Sequence, residues 1–147
     1  MKKDVVITIK GIQTVDGEQD TVELTTLGSF YRKNETYYLT YLESEATGFA
    51  GQRTTLKLED SHRVTMIRYG SAESSLVVEK GVRHQCQYDT GYGNLLIGVS
   101  GDDIQNQITD EGGSFHFKYT LDINTALASF NEIYVTVKAR ENDGTCS

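Results

Sequence analysis

Residues 83–100 read Arg-His-Gln-Cys-Gln-Tyr-Asp-Thr-Gly-Tyr-Gly-Asn-Leu-Leu-Ile-Gly-Val-Ser, and this stretch decides the fold. Two strand-like halves, residues 83–90 and 94–100, flank its central glycines. With Gly91 and Tyr92 as a two-residue loop, the segment has the Gly-X pattern of a type II′ hairpin turn, because glycine tolerates the positive φ that this turn requires. One long strand bent at the glycines is the alternative. Both interpretations predict a seam of a curved antiparallel sheet.

Alternation of apolar and polar residues extends this pattern along most of the chain. It is clearest where Phe115, Phe117 and Tyr119 alternate with His116 and Lys118, which is the period-two spacing of a half-buried strand. Strands are predicted at residues 4–13, 20–33, 36–45, 52–60, 63–69, 74–80, 83–90, 94–100, 115–123 and 133–138. Many short strands without a long helix predict an all-β fold. We expect an antiparallel barrel of about 8–10 strands, closed or nearly closed, because closure removes the sticky edges of a flat sheet.

Three segments interrupt the alternation and are predicted as connections. Residues 46–51 contain two glycines and are predicted as a loop. Residues 101–113 are polar and acidic, and they are also predicted as a loop, in which Ile104 and Ile108 allow at most one helical turn. Residues 124–128 are predicted as a short turn whose first residue, an asparagine, is the cap.

Length and composition indicate one domain in a reducing compartment. The 147 residues predict a single β-barrel domain over residues 1–140 and a flexible C-terminal tail over residues 141–147. The net charge of −7 argues against nucleic acid as a partner. No apolar run approaches the length that spans a bilayer, so no membrane association is expected. Because Cys86 and Cys146 cannot form a disulfide framework, we expect a cytoplasmic protein.

Two charged residues continue faces that are otherwise apolar. Glu43 follows Tyr37, Leu39 and Tyr41 at two-residue spacing, and Arg68 follows Val64 and Met66 in the same way. If these faces point inward, each charge is costly unless it is paired. A salt bridge at the barrel mouth is the first interpretation. The alternatives are that Arg68 binds a polar or anionic ligand head, or that the alternation slips and both charges are solvated.

Aromatic residues on the candidate inner faces are the second feature. The chain has nine tyrosines, five phenylalanines and no tryptophan. Tyr41, Tyr88, Tyr119 and Phe117 lie where a pocket could use an apolar ring, with a polar tip on the tyrosines. The alternative is that such residues occur here because they favour strands.

The sequence contains no convincing catalytic or metal-binding constellation. His84 and Cys86 share one face of a predicted strand, but two such ligands do not make a zinc site. The same pair is a poor nucleophile and base, because nothing in the sequence orients the imidazole. No cofactor is predicted, and an enzyme is the least favoured class.

Several short motifs follow one another in a characteristic order. They are Lys10-Gly11-x-Gln13, Tyr41-x-Glu43-Ser44, Thr54-Thr55-Leu56-Lys57, Arg68-x-Gly70, Tyr88-x-Thr90-x-Tyr92-Gly93, Gly112-Gly113 and Tyr119-x-Leu121. In this order they resemble the DUF1934 (YwiB-like) family of uncharacterised bacterial proteins, of the lipocalin-like, or calycin, class. The resemblance covers residues 4–138 and implies a small barrel without an assigned activity. Because the chain has no tryptophan, it lacks the Gly-x-Trp signature of typical secreted lipocalins.

Two functional hypotheses from different classes follow. The first is an intracellular module that binds a small apolar or amphipathic molecule, oriented by Arg68, Glu43 and tyrosine hydroxyls. The second is a structural or protein-interaction barrel with a filled interior, acting through its acidic outer face or through residues 101–113. A hollow interior favours the first hypothesis.

Overall fold

The computed structural model describes residues 2–43, 51–59, 62–69, 74–89 and 94–140, with the backbone alone described at residues 74, 86–89 and 94. The elements in these ranges are ten antiparallel strands. They are β1 (Lys2–Val15), β2 (Glu18–Lys33), β3 (Thr36–Leu42), β4 (Arg53–Glu59), β5 (Arg63–Tyr69), β6 (Ser74–Glu79), β7 (Arg83–Asp89), β8 (Asn94–Thr109), β9 (Gly112–Ile123) and β10 (Ala126–Ala139). Over the same ranges, the chain forms no helix with the length and apolarity needed to cross a membrane.

All ten strands belong to one sheet in the order β6-β5-β4-β3-β2-β1-β10-β9-β8-β7. From β1 to β6 and from β7 to β10, strands that follow one another along the chain pair as antiparallel hairpins, and a ladder between β1 and β10 joins the two groups. The consecutive strands β6 and β7 are the two ends of the sheet. Ile7 shows the arrangement, because it lies opposite Thr26 in β2 and Val137 in β10. The predicted hairpin of residues 83–100 is confirmed, since β7 and β8 pair antiparallel up to Asp89 opposite Asn94. Its turn, residues 90–93, lies outside the described residues.

The sheet curls until its two ends meet at a seam. The backbone N–H of Gly81 donates to the Gly101 carbonyl at 3.0 Å, and the N–H of Gly101 donates to the Val82 carbonyl at 3.2 Å. A β-bulge between Gly101 and Asp103 lets β8 bend toward β6 at this point. A side chain at position 101 would collide with the main chain of Glu79, so only glycine allows this approach. The expected nearly closed antiparallel barrel is therefore confirmed.

Two predicted connections are wrong. Residues 101–113 are not a loop with a helical turn, because residues 101–109 continue β8 through the bulge and only 110–111 form the turn into β9. The segment 124–128 is not a capped helical turn either. Asn124 and Thr125 both have positive φ, as in a two-residue hairpin turn, and β10 begins at the next residue. Most of the predicted loop at residues 46–51, and the predicted tail at residues 141–147, lie outside the described residues.

The core fills one end of the barrel more completely than the other. At the closed end the largest side chains are almost fully buried, among them Phe30, Leu39, Leu58 and Phe117. Asp110, in the β8–β9 turn, ties this end together. Its carboxylate accepts a hydrogen bond from the Tyr37 hydroxyl at 2.8 Å and pairs with Arg32 at 3.1 Å. The closed end is thus a packed core, which leaves the opposite end as the place for a site.

Candidate functional site

A cavity of about 410 Å³ occupies the end of the barrel opposite Asp110. The hairpin turns of residues 16–17 and 124–125 lie at this end. The described residues that line the cavity come from β1 to β6, β9 and β10. They are Ile9, Gly11, Ile12, Gln13, Asp20, Val22, Leu24, Tyr41, Glu43, Leu56, Met66, Arg68, Leu76, Tyr119, Leu121, Asn131 and Ile133. This volume is far more than the roughly 30 Å³ that one water occupies, so a small organic molecule fits.

Small residues on β1 and β2 leave room at this end of the barrel. Phe30 and Phe117 fill the closed end. At the end with the cavity, Gly11 in β1 lies opposite Val22 in β2. A β-carbon at position 11 would contact Ile133 at 3.5 Å, which is an ordinary packing distance. Position 11 therefore tolerates a β-carbon, and it lies on the wall of the cavity.

A buried ion pair lies on the wall formed by β3, β4 and β5. Arg68 Nε lies 3.7 Å from Glu43 Oε1, and the Glu43 side chain is 1% exposed against 26% for Arg68. The hydroxyl of Thr54, itself fully buried, donates to the same Oε1 at 2.7 Å. These residues meet because Thr54 pairs with Tyr41 on one side and with Arg68 on the other. The predicted salt bridge between Glu43 and Arg68 is confirmed. The alternative in which the charge of Glu43 is solvated is wrong.

Two tyrosines border the ion pair, and both keep their hydroxyl protons. Tyr41 and Tyr119 are 6% and 8% exposed. Burial raises the pKa of Tyr41, the charge of Glu43 adds to this, and Arg68 opposes it. Burial likewise raises the pKa of Tyr119, against the opposing charge of Arg68. Both hydroxyls therefore remain able to donate hydrogen bonds at any physiological pH.

The opposite wall carries the amide groups of Asn131, which is buried, and Gln13, which is exposed. Asn131 is 6% exposed, and its amide N–H donates to the Ser129 hydroxyl at 3.0 Å. Gln13, on the neighbouring strand, donates to the Asn131 side-chain oxygen at 3.4 Å. Asp20 pairs with Gln13 in the β1–β2 ladder and is exposed at the rim. The cavity is thus an apolar space with an ion pair on one wall and amides on the other.

Four of the six candidate site residues line this one cavity, namely Arg68, Glu43, Tyr41 and Tyr119. Phe117 does not line it, because this residue is fully buried below Tyr119, with ring centroids 6.0 Å apart. Tyr88 lies in β7 opposite Leu95, and its side chain is outside the described part of the chain.

Sequence reasoning missed the contribution of β1 and β10. Asn131 precedes Ile133, Val135 and Val137 at two-residue spacing, so it is a polar residue on an apolar face, as Glu43 is. The same signal that identified Glu43 would have identified it. Gly11 gives no comparable signal, because a glycine shows no preference for either face.

His84, which shares a predicted strand face with Cys86, contacts Glu79 in the structure. Its Nε2 lies 2.8 Å from Glu79 Oε1 across the β6–β7 connection. This hydrogen bond lowers the pKa of Glu79. Over the described ranges, no three His, Cys, Asp or Glu side chains are grouped so as to hold a metal ion.

Comparison with known proteins identifies relatives of this barrel. The family model described as "Domain of unknown function (DUF1934)" matches residues 7–135. The chain is 25% identical over 138 residues to a Bacillus subtilis (strain 168) protein described as "Uncharacterized beta-barrel protein YwiB", covering 92% of this chain and 95% of that protein. The crystal structure of ywiB protein from Bacillus subtilis shares the fold with a TM-score of 0.75 at 19% identity, covering 95% of this chain and 94% of that one. The chain therefore belongs to the DUF1934 family of β-barrel proteins.

Proposed function

We propose that this barrel binds a small apolar or amphipathic molecule in the cavity beside Arg68 and Glu43. One observation carries the proposal: a half-open cavity of about 410 Å³ lies at one end of the barrel, next to the packed core. Ligand pockets typically have volumes of roughly 300–1,000 Å³, with apolar walls and a few polar groups that fix orientation. Small apolar molecules occupy the better-known lipocalin-like barrels, and we extend that analogy of fold to this cavity as part of the proposal.

The polar groups of the cavity lining would fix the orientation of the bound molecule. Leu56, Met66, Leu76 and Ile133 offer an apolar surface to its body. The ion pair and the tyrosine hydroxyls beside it would receive its polar end. A purely apolar interior would hold a ligand without orienting it, whereas a few convergent polar groups provide specificity. As part of the same proposal, we place the protein in the cytoplasm without nucleic acid or membrane as partner, in keeping with its net charge of −7.

The test is a titration with N-phenyl-1-naphthylamine, a neutral apolar dye whose fluorescence rises on leaving water. We expect saturable binding to the unmodified protein. Gly11→Phe should lower the affinity about tenfold or more, because its ring enters the cavity from a backbone position that tolerates a β-carbon. Lys10→Phe is the matched control, since it puts the same side chain at the neighbouring position of β1, which is exposed.

Two results would count against this function. Unsaturable binding to the unmodified protein would refute it and favour a barrel that acts through its outer surface. Equal affinity of the Gly11→Phe variant would show that the dye binds somewhere else. Thermal unfolding of both variants checks that the barrel remains folded.

A further inference from the structure

We propose that the ligand of this cavity carries an anionic head group, such as a carboxylate, that binds Arg68. The inference rests on the proposed binding function and names the chemical class that the cavity selects. The lining brings three ionisable charges together, those of Asp20, Glu43 and Arg68. The exposure of each of these side chains decides which charge a ligand can contact.

Arg68 is the charged group of the ion pair that a bound molecule can reach. Its side chain is 26% exposed, whereas that of Glu43 is 1% exposed. The buried partner therefore holds the guanidinium in place, and the exposed partner presents its charge to the cavity. Among the contacts of Arg68, the one with Glu43 runs through Nε at 3.7 Å. The charge of the guanidinium and its planar geometry with five donors are what an anionic group would meet at the cavity wall.

Tyr119 is a neighbouring hydrogen-bond donor of the kind that an anion needs, since burial raises the pKa of its hydroxyl and keeps it protonated. The Tyr41 hydroxyl is engaged with Glu43, which together with burial raises its pKa. A cationic head would instead lie against an arginine, and it could reach the Glu43 carboxylate only by displacing Arg68 from it. The geometry thus favours an anion over an ammonium group.

Asp20 and the overall charge act in the opposite direction. Asp20 is exposed at the rim, and the chain carries a net charge of −7. At physiological salt such surface charges are screened over roughly 8 Å, whereas a contact between partly buried groups is screened much less. The charge of Asp20 and the net negative charge therefore lower the association rate of an anion more than they weaken its contact with Arg68.

Three probes of equal chain length test the inference by isothermal titration calorimetry. Octanoate, octan-1-ol and octylamine share an eight-carbon body and differ in head-group charge. We expect octanoate to bind about tenfold or more tightly than either of the others. Preferred binding of octylamine, or equal binding of all three, would refute the anionic head while leaving the binding function intact. If neither these probes nor the neutral dye binds, the binding function fails and the inference fails with it.

Variants identify Arg68 as the origin of the preference. Arg68→Met strands the Glu43 carboxylate and can fail to fold, so the main variant combines it with Glu43→Gln. This neutral pair should reduce octanoate affinity to within about threefold of the affinity of the same variant for octan-1-ol. A tenfold preference for octanoate that survives in the neutral pair would show that another group binds the anion. Arg68→Lys should retain a weaker preference, because lysine keeps the charge but loses the planar fork.

Discussion

Replacing Arg68 by methionine removes one partner of a buried ion pair and leaves the other partner stranded. Glu43 would keep the hydroxyl of Thr54 at 2.7 Å but lose the guanidinium. Breaking a fully buried pair costs roughly 3–5 kcal/mol. Here the separation is 3.7 Å and Arg68 is 26% exposed, so we expect the lower cost of about 2–3 kcal/mol. For a chain of 147 residues this corresponds to a fall in Tm of roughly 5–10 °C.

The matched control is an ion pair of the same length in a different environment. Lys57 Nζ lies 3.6 Å from Glu59 Oε1, and both side chains are about one-third exposed. Lys57→Met should therefore cost no more than about 1 kcal/mol. The double variant Glu43→Leu with Arg68→Met should regain most of the lost stability, because it leaves no stranded charge.

Equilibrium unfolding in urea, followed by circular dichroism, measures the free energies of unfolding of the unmodified protein, Lys57→Met, Arg68→Met, Glu43→Leu and the double variant. The coupling between Glu43 and Arg68 follows from the double-mutant cycle, in which both substitutions act through one contact. If Arg68→Met and Lys57→Met cost the same, burial would not set the strength of the Glu43 pair. If the double variant is less stable than Arg68→Met alone, stranding would be the wrong explanation.

Two further predictions concern packing and pH. Gly28→Ala should destabilise the barrel by roughly 1–3 kcal/mol, because its methyl group would overlap Ile7 and a main-chain oxygen. Gly11→Ala, in contrast, should be neutral or slightly stabilising. Equal urea midpoints for the two variants would contradict this prediction. The hydrogen bond from Arg83 holds the pKa of Asp122 below its usual range. This contact therefore stabilises the fold fully above the pKa of about 4 that Asp122 has in the unfolded chain. The stabilisation is lost as the pH falls through the lower pKa that Asp122 has in the folded protein. Asp122→Asn should accordingly lower Tm at pH 7 and have little effect near pH 2, and an equal effect at both pH values would contradict it.

Alternation predicted part of each of the ten strands, because a barrel with one buried face repeats every two residues, but it missed residues 101–109 of β8 and residues 126–132 of β10. The face of Phe115, Phe117 and Tyr119 is buried as predicted. The same rule located Glu43 and Arg68 without any knowledge of the topology. A polar residue at an apolar position has to find a partner, and each was the partner of the other.

The rule failed at residues 101–109 because of the bulge. An extra residue between Gly101 and Asp103 interrupts the period, so the polar run looks like the end of a strand. Ile104 and Ile108 are an even number of residues apart, and this spacing fits one helical turn as well as one face of a strand. Ile104 is 3% exposed and belongs to the core. Pairing with β9, the next strand of the hairpin, distinguishes the two structures.

The cavity itself was beyond prediction for a different reason. Whether a barrel is hollow depends on which small residues face one another across several strands, such as Gly11 opposite Val22 and near Ile133. That arrangement depends on register, and register is a property of the whole sheet.

The ladder between β1 and β10 has a consequence for biosynthesis. Residues 2–15 leave the ribosome more than a hundred residues before their partners at residues 126–139. Until then β1 presents an unsatisfied edge, which is the kind of surface that recruits other nascent chains or chaperones. Translation that stops before Ala126 would release such an edge permanently, so truncated products of this protein should be cleared or aggregate.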